Sequence, residues 1–322
     1  MNYITALNQL IVAATAQIPN VVLYGENINT GSHICGMTRH LRLERGGRIL
    51  NVGDCESTHC GVGFGLMLNG VSSVLFCKQL DFIVLGIDHF ISTYNVIRTH
   101  RSLASLGSFT ICVIVCDQGF QGPQSSFNAL GDLCSLARVP GYTLTNQQDA
   151  SHVLGRQFTA TGFRFVALSQ RLFPTECLTP DLVYAAEDAS VFQYSVGRDA
   201  TIACFNFSLP EGRLLQAKLL EQGLTTSLFS VNHVLPGDWA RIKESVAQTG
   251  RLVVMDDSKG VNSAGYRLLS DLAASGPPFH QVMVTRERVE FGVSADTFDV
   301  DYDGVMSRLA VGVTGSVARS SV

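Results

Sequence analysis

Hydrophobic and polar residues alternate along the chain in two rounds of helix-like and strand-like segments. In the first round, apolar residues at helical spacing predict helices over 3–16, 56–69 and 83–97, and apolar runs predict strands over 71–77 and 108–116. Unbroken apolar strands are typical of parallel sheets that are covered on both faces. The first round therefore predicts a doubly wound α/β domain with a mainly parallel sheet. Its other predicted elements are strands over 21–24, 142–145 and 163–168 and a helix over 149–159.

The second round follows an interruption near residues 170–198, where Pro174, Pro180 and the polar run 187–190 break the pattern. We therefore expect a first domain over 1–185, a second, smaller α/β domain over 190–310, and a Ser-rich disordered tail over 311–322. The predicted elements of the second domain are strands over 200–207, 225–231, 251–255 and 281–285 and helices over 211–222, 238–247 and 263–274.

The composition narrows the range of partners. Charged residues make up 16% of the 322 positions and hydrophobic residues 46%, and the formal net charge is −4 without a basic run. So low a charged fraction suggests that a partner chain covers much of the surface. Without a basic patch, nucleic acid and anionic membranes are poor candidate partners. No apolar run approaches the ~18 residues that are needed to cross a bilayer.

Nine cysteines are scattered through the chain, mostly in apolar segments and without the paired spacing of a zinc site. An odd number of thiols within predicted cores indicates reduced thiols and a cytoplasmic protein. Cys112 and Cys116 lie on one face of a buried run, so core packing is favoured there over metal binding. The segment 1–17 has no basic start and is predicted as an amphipathic helix rather than a signal peptide.

The stretch 54–65 carries the candidate chemistry. Glu56 opens the predicted helix 56–69, whose next two turns contain Gly61, Gly63 and Gly65. Glycines let another backbone or a flat ligand approach closely, so we expect this segment to be buried against a companion chain. A carboxylate at a helix start can simply offset the helix dipole. Beside the buried strand 71–77 it can instead be aimed into a crevice, and the local sequence leaves both interpretations open.

Short motifs follow one another along the chain at a characteristic spacing. They are residues 23–28 (Leu-Tyr-Gly-Glu-Asn-Ile), 47–56 (ending Gly-Asp-Cys-Glu), 80–82 (Leu-Asp-Phe) with 86–91, 122–124 (Gly-Pro-Gln) with 136–141, and 236–239 (Pro-Gly-Asp-Trp) with 249–257. Their order resembles that of the beta chain of the thiamine-diphosphate-dependent 2-oxo acid dehydrogenases, and more broadly the second half of transketolase-like enzymes. The resemblance spans roughly residues 5–290.

The resemblance implies a pyrimidine-binding domain followed by a transketolase C-terminal-like domain. It implies that Glu56 hydrogen-bonds the pyrimidine ring of thiamine diphosphate and so promotes loss of the proton from the cofactor's reactive carbon. Such a carboxyl works best in an apolar, dry site, for which Cys55 is a suitable neighbour. Phe82 is implied to stack against the pyrimidine, and Leu85 to line the same pocket.

Part of the family's cofactor site is missing from this chain. The related enzymes hold the diphosphate and Mg²⁺ with a Gly-Asp-Gly segment and a later Asn, whereas here Gly53-Asp54 is followed by Cys55. A hard cation needs several oxygen ligands, and the sequence offers no cluster of them. The resemblance therefore implies an alpha-type partner subunit that supplies the phosphate and Mg²⁺ site, in an alpha2beta2 heterotetramer, with no metal ligand in this chain.

The substrate side also departs from the family. There, Gly-Pro-Gln precedes a histidine that handles protons, whereas here Gln124 precedes Ser125, which cannot act as a base unaided. Ser125 can still hydrogen-bond a substrate oxygen. His33 is the best placed substitute by sequence, although a lone loop histidine often faces solvent. Glu26, at the carboxyl end of a predicted strand, is expected at the active-site crevice.

The second domain contains an acidic pair, Asp256-Asp257, followed by Ser258-Lys259. Such a run at a strand end can suggest a metal or phosphate site. A solvated strand end is the favoured interpretation, because charge runs are usually exposed.

The resemblance implies a beta-type subunit of a heteromeric enzyme that cleaves a 2-oxo acid or ketose next to its carbonyl and transfers the acyl or ketol unit. The missing histidine favours an atypical member from a specialised pathway. The acceptor is a lipoyl-domain or acyl-carrier protein in a dehydrogenase, or an aldehyde in a transketolase-like carboligase. A non-catalytic stabilising subunit is the other alternative. An unrelated dinucleotide-binding dehydrogenase is disfavoured, because no Gly-x-Gly-x-x-Gly follows the first strand.

Overall fold

The computed structural model describes residues 1–118, 122, 125, 127–235, 237–260, 263–286 and 298–314. The chain forms two compact units, and the boundary between them lies between Thr179 and Pro180. Across these described ranges, each unit contains a six-stranded sheet. Tyr184–Ala185, which were expected at the end of the first domain, pair with a strand of the second sheet.

The first unit is built on a sheet in which every neighbouring pair of strands is parallel, in the order β2-β1-β3-β4-β6-β5. Helices flank this sheet, which confirms the predicted doubly wound class for this unit. Its elements are α1 (Tyr3–Ala16), β1 (Val21–Gly25), β2 (Gly47–Asn51), α2 (Glu56–Leu68), β3 (Ser73–Cys77), α3 (Leu80–Ile83), α4 (Tyr94–His100), β4 (Ser108–Val115), α5 (Leu130–Ala137), β5 (Gly141–Leu144), α6 (Gln147–Gln157) and β6 (Gly162–Ser169).

An aromatic cluster fixes α2 against this sheet. The Phe64 ring of α2 packs edge to face on Phe109 of β4 and on Phe163 of β6, with ring centroids 5.1 and 5.0 Å apart. All three rings are fully buried. Edge-to-face aromatic pairs add about 0.5–1.5 kcal/mol beyond their area burial. The cluster therefore sets where the first residue of α2, Glu56, lies relative to the strand ends.

The helix predicted over 83–97 is helical throughout, but it is bent and irregular rather than one regular α-helix. A 3₁₀ turn covers Val84–Gly86, a π-helical turn covers His89–Thr93, and α4 starts only at Tyr94. At Gly86 the chain approaches α2 so closely that an added Cβ would lie 2.5 Å from the Cys60 Sγ. The close approach explains why this segment does not continue as one regular helix.

The second unit has a mainly parallel sheet in the order β12-β11-β9-β10-β8-β7, in which β8 runs antiparallel to both β10 and β7. Its core contains buried Trp239, Phe205 and Phe229. The last turn of the final helix, Tyr302–Thr314, falls within the stretch 311–322 that was expected to be a disordered tail. The elements are β7 (Tyr184–Ala185), β8 (Val191–Ser195), β9 (Ala200–Phe205), α7 (Leu209–Glu221), β10 (Thr226–Val231), α8 (Ala240–Thr249), β11 (Arg251–Asp256), α9 (Ala264–Ser275), β12 (His280–Thr285) and α10 (Tyr302–Thr314).

No single helix among the described residues is long and apolar enough to cross a membrane. One pair of consecutive helices, Leu80–Gly86 and His89–His100, is long and apolar enough only when its two parts are counted together. The two parts are bent by 62°.

Candidate active site

Three chain segments meet at the carboxyl edge of the first sheet. β1 and β3 are parallel neighbours, so Glu26, which follows β1, and Lys78, which follows β3, leave the sheet at the same edge. Glu56 begins α2 at this edge. Ligands of doubly wound sheets bind outside the carboxyl ends of the strands. The fold therefore places the predicted glutamates Glu26 and Glu56 where a ligand site is expected.

A small, partly open cleft lies between these segments, and it brings Glu26, Glu56 and Phe82 together. Its lining combines charged groups with apolar side chains, which is the combination that recognises a flat ring carrying hydrogen-bonding nitrogens. The lining residues are Glu26, Gly53, Asp54, Glu56, His59, Leu75, Phe76, Cys77, Lys78, Phe82 and Ile83.

Glu56 is half-buried at the first position of α2. The preceding residue, Cys55, makes no side-chain cap to the helix, and no hydrogen bond within the described ranges engages the Glu56 carboxylate. The carboxylate gains from the helix dipole, which supports the cap interpretation in part. Because it also lines the cleft, it is available to a ligand. The Cys55 thiol lies elsewhere: it is exposed, outside the cleft lining, and 2.9 Å from Thr58 Oγ1.

Carboxylates dominate the electrostatics of the cleft. Burial raises the pKa of Glu26, and a side-chain hydrogen bond and like charge from Asp54 raise it further. Lys78 acts in the opposite direction, and Glu56 adds a smaller repulsion. Asn27 Nδ2 also donates to Glu26 Oε1 over 2.6 Å. Glu26 therefore keeps its proton to a higher pH than an isolated glutamate does.

His59 is the imidazole of this cleft. Burial lowers its pKa, and the charges of Glu56 and Asp54 oppose that shift. Its backbone carbonyl accepts a hydrogen bond from Tyr24 Oη over 2.9 Å, and the two rings meet edge to face with centroids 6.4 Å apart. The histidine is thus held close to the Glu56 carboxylate by the core strand β1.

Sequence reasoning missed Asp54, His59 and Lys78 as members of the cleft. Lys78 directly follows a buried strand, and this position was a usable signal. His59 is one helical turn after Glu56, so helical spacing also indicated that both share a face. Asp54 was considered only as part of an incomplete diphosphate motif.

The two apolar cofactor candidates separate in the structure. Phe82, in α3, is half-buried and lines the cleft. Leu85 lies in the following 3₁₀ turn, is 68% exposed, and is not among the lining residues. Within this chain, Phe82 alone of the two is placed to cover a ring in the cleft.

The substrate-side loop approaches the same region through α3. Ser125 Oγ donates to Gln79 Oε1 over 3.2 Å, and the Phe127 backbone N–H donates to Asp81 Oδ1 over 3.0 Å. Ser125 is therefore close to the segment that carries Phe82, although it does not line the cleft. Gln124 lies outside the described residues.

His33 lies in a strained turn after β1. His33, Ile34 and Cys35 all have positive φ angles, of 46°, 40° and 56°. The turn is joined to the strand end, because the Ile34 N–H donates to the Asn27 carbonyl over 3.2 Å. The His33 Nδ1 is buried without a hydrogen-bond partner among the described residues, and the ring does not line the cleft. Such strain is often found near functional sites, but the structure does not bring His33 to Glu56.

The expectation that Gly61, Gly63 and Gly65 together face a companion is wrong for Gly63. A Cβ at Gly63 would lie 2.3 Å from the Phe109 ring, so this glycine makes room for the chain's own core. A Cβ at Gly61 would contact the His89 ring at 3.4 Å, and one at Gly65 would meet nothing within 4 Å. Gly65 is the member of the three that faces open space.

The expectation of a solvated strand end at 256–259 is also wrong. Asp256, Asp257 and Lys259 are all buried. Asp257 Oδ1 accepts hydrogen bonds from Asn206 Nδ2 and from the Phe207 backbone N–H, over 2.8 and 2.9 Å. Burial is possible because these donors replace water around the carboxylate. Within the described ranges, no group of three or more His, Cys, Asp or Glu side chains is placed to hold a metal ion.

Comparisons with known proteins show what the chain as a whole is similar to. No protein-family model matches the chain. It is 22% identical over 268 residues to the beta subunit of acetoin:2,6-dichlorophenolindophenol oxidoreductase of Cupriavidus necator, covering 79% of this chain and 78% of that protein. It is also 22% identical to the pyruvate dehydrogenase E1 component subunit beta-1 of Oryza sativa, covering 98% of this chain and 84% of that protein.

Solved structures show a similar fold. A split-gene transketolase, described as an inactive beta4 tetramer, matches with a TM-score of 0.72 and 16% identity, covering 96% of this chain and 97% of that one. The transketolase of Campylobacter jejuni matches with a TM-score of 0.65 and 10% identity, and this chain spans 46% of its length. The resemblance expected from the sequence motifs is therefore confirmed: this chain is similar to the beta subunits of the 2-oxo acid dehydrogenases, and its fold is similar to that of transketolases.

Proposed function

We propose that this chain is the beta-type subunit of a heteromeric, thiamine-diphosphate-dependent enzyme. The enzyme cleaves a 2-oxo acid or a ketose next to its carbonyl and transfers the resulting acyl or ketol unit. The observation that carries the proposal is the convergence of Glu56 and Phe82 in one cleft at the carboxyl edge of the first sheet. The relatives among the dehydrogenase beta subunits support the same assignment.

The residues of the cleft fit the pyrimidine half of thiamine diphosphate. Glu56 supplies a carboxyl that no described residue engages, and Phe82 supplies a flat apolar face. Leu75 and Ile83 add apolar lining that keeps water away from a bound ring. When bound, thiamine diphosphate supplies a nucleophilic carbon that attacks a carbonyl and then accepts the electrons of the bond that breaks. In this proposal, Glu56 would hydrogen-bond the pyrimidine ring, and Phe82 would stack against it.

Glu26 is proposed to hydrogen-bond the substrate, and Asp54 is proposed to position it through the hydrogen bond between the two carboxyls. Ser125 is proposed to position the substrate by hydrogen bonding, since a serine without a base beside it does not transfer protons near neutral pH. Gln124, Leu85, Cys55 and His33 stay candidates for substrate or cofactor contacts that a companion chain completes.

A partner is needed for the phosphate half of the cofactor. We propose an alpha-type subunit that holds the diphosphate and Mg²⁺, in an alpha2beta2 heterotetramer. The surface of the first unit supports this arrangement, because Val62, Val84 and Leu85 are exposed apolar residues and a Cβ at Gly65 would meet nothing within 4 Å. The split-gene transketolase of similar fold is described as inactive when it is a beta4 tetramer, which agrees with a need for a second chain type.

The acceptor separates the candidate functions. A lipoyl-domain or acyl-carrier protein as acceptor corresponds to a dehydrogenase, and the C. necator and O. sativa relatives favour this candidate. An aldehyde acceptor corresponds to a transketolase-like carboligase, which the two structural neighbours favour. A third candidate is a non-catalytic subunit that stabilises its companion. We propose a cytoplasmic location for each, because nine free cysteines are typical of a reducing compartment.

Calorimetry tests the proposal directly. Thiamine diphosphate with Mg²⁺ is titrated into this chain alone and into the chain co-expressed with a companion that carries the Gly-Asp-Gly and Asn segment. We expect weak binding to the chain alone and at least about a hundredfold tighter binding to the complex, because the phosphate contacts are then present.

Two substitutions make this measurement specific to the cleft. Phe82→Ala should weaken binding to the complex by about tenfold, since it removes one aromatic contact of roughly 1–1.5 kcal/mol. Val96→Ala removes an exposed apolar side chain of α4 outside the cleft and should change nothing. Tight binding by the isolated chain, or equal effects of both substitutions, would contradict the proposal.

A further inference from the structure

A second cavity lies at the carboxyl edge of the second sheet, far along the chain from the residues of the proposed cofactor site. β11 and β12 are parallel neighbours, with Asp256 opposite Thr285, and α9 begins beside their ends. The cavity between them, here called the α9 cavity, is open to solvent and has a volume of about 170 Å³. Its polar lining residues are Asp256, Ser258, Ser263, Tyr266, Thr285 and Arg286.

Two opposite charges line the α9 cavity although both are almost fully buried. Asp256 is 3% exposed and Arg286 is 7% exposed. Burying a charge costs free energy unless hydrogen bonds and an opposite charge compensate for the loss of water. A cavity that contains both signs of charge therefore offers complementary groups to a ligand that carries a negative group and hydrogen-bond donors.

Hydrogen bonds hold both charged groups in place. Arg286 Nε donates to the Asp257 carbonyl over 2.5 Å, which fixes one edge of the guanidinium group. Asp256 Oδ1 accepts from the Ser258 backbone N–H over 3.0 Å, and Asp256 Oδ2 accepts from Ser263 Oγ. A fixed guanidinium is suited to an oxyanion, because its planar donors match two oxygens at once.

The other polar groups of the lining are hydroxyls. Ser258, Tyr266 and Thr285 can each donate or accept a hydrogen bond, so they fit hydroxyl groups of a ligand in either sense.

We propose that the α9 cavity binds a small hydroxylated anion, in which a phosphate or a carboxylate group meets Arg286 and hydroxyl groups meet Asp256 and the serine, threonine and tyrosine hydroxyls. The site is independent of the proposed cofactor cleft, since the two share no residue. It would make the second unit a binding unit for a metabolite or effector of this chemical class.

Isothermal calorimetry on the full chain tests the proposal with three probes: inorganic phosphate, glycerol 3-phosphate and glycerate. Binding of glycerol 3-phosphate and not of glycerate assigns the anion as a phosphate, and the reverse assigns it as a carboxylate. Weaker binding of inorganic phosphate than of glycerol 3-phosphate is expected, because the hydroxyl contacts are absent. Failure of all three probes to bind more tightly than about 10 mM would overturn the proposal.

Matched arginine variants locate the binding. Arg286→Lys keeps the charge but loses the planar fork, and should weaken binding of the preferred probe by about tenfold. Arg267→Lys is the control, because Arg267 is on α9, exposed and paired with Asp271 outside the cavity lining. It should leave the affinity unchanged within about twofold. Equal weakening by both variants would show attraction to surface charge alone and overturn the proposal.

A second variant, Tyr266→Phe, tests the cavity even if Arg286→Lys fails to fold. Tyr266 is half-exposed, so Tyr266→Phe is expected to preserve the fold while removing one hydroxyl from the lining. It should weaken binding by about threefold to tenfold if the hydroxyl contacts the ligand, since a hydrogen bond contributes roughly 0.5–1.5 kcal/mol. If Arg286→Lys does not fold and Tyr266→Phe binds like the wild type, the proposal fails.

Discussion

The two sheets present carboxylates at equivalent edges but use them in different ways. At the edge of the first sheet, Glu26 and Glu56 line an open cleft, and Glu56 has no hydrogen-bond partner in the described residues. At the corresponding edge of the second sheet, between β9 and β11, Asp257 is fully buried and accepts hydrogen bonds from Asn206 and Phe207. Position at a strand end therefore does not decide between a structural and a functional carboxylate. What separates these carboxylates is whether they line a cleft or cavity, as Glu26 and Glu56 do and Asp257 does not.

The largest stability difference is expected between these two kinds of carboxylate. Asp257→Ala should lower the free energy of unfolding of the second unit by about 3 kcal/mol, because it leaves two buried donors without an acceptor. Asp54→Ala, at the exposed end of the cleft, should change the stability of the first unit by less than about 0.5 kcal/mol. Fluorescence of Trp239, the single tryptophan, follows the second unit in urea, and amide hydrogen exchange in β3 follows the first. Equal losses of unfolding free energy from Asp257→Ala and Asp54→Ala would contradict the distinction between a structural and a functional carboxylate.

The glycines of α2 offer a second contrast, within one helix. Gly63→Ala should destabilise the first unit by about 1–3 kcal/mol, since the new methyl group would lie 2.3 Å from the Phe109 ring. Gly65→Ala should instead stabilise the free chain by about 0.5–1 kcal/mol, because alanine favours the helix and meets open space. Thermal unfolding measures both. If Gly65 faces a companion chain, the same alanine should also weaken assembly in light scattering, and unchanged assembly would remove Gly65 from that interface.

The fold class was predictable from the sequence because its signals are local and repeated. Helix α1 was predicted at its observed bounds, and the strand predicted over 251–255 corresponds to β11. β2 was not predicted, because this edge strand is mostly exposed and contains Arg48 and Asn51, so its pattern lacks a buried run. β8 was missed because it lies inside the stretch that was interpreted as a domain boundary.

The site was predictable only in part, because some of its contacts join residues that are distant in the sequence. Glu56 and Phe82 came from family motifs, and the structure brings them into one cleft. The Glu26–Asp54 hydrogen bond joins residues from two separate segments, so helical or strand spacing could not reveal it. The burial of Asp257 depends on Asn206 and Phe207, about fifty positions earlier in the chain, and no local charge pattern encodes that contact.

The smallest expected effect is a titration difference at the cleft. The folded chain holds the Glu26 proton more tightly than the unfolded chain, because burial and Asp54 raise the pKa of Glu26. The contribution of this proton to stability is complete below the pKa that Glu26 has in the unfolded chain. It is lost as the pH rises through the higher pKa that Glu26 has in the folded chain. Asp54→Asn should move the Glu26 pKa back toward its ordinary value in a carboxyl-detected NMR titration. Asp88→Asn removes a carboxylate outside the cleft and should leave the pKa of Glu26 unchanged.

The central claim is that Glu56 acts on the cofactor rather than only on the α2 dipole, and hydrogen exchange at the cofactor's reactive carbon tests it most directly. The exchange of that proton for deuterium is measured in the complex with the companion chain, for the wild type and for Glu56→Gln, after both are shown to assemble. We expect the substitution to slow exchange by about 10²–10⁴-fold, because it removes the carboxyl that holds the proton at the ring. A rate unchanged within about twofold, together with a stability loss of about 0.5–1 kcal/mol, would assign Glu56 to the helix cap and contradict the account.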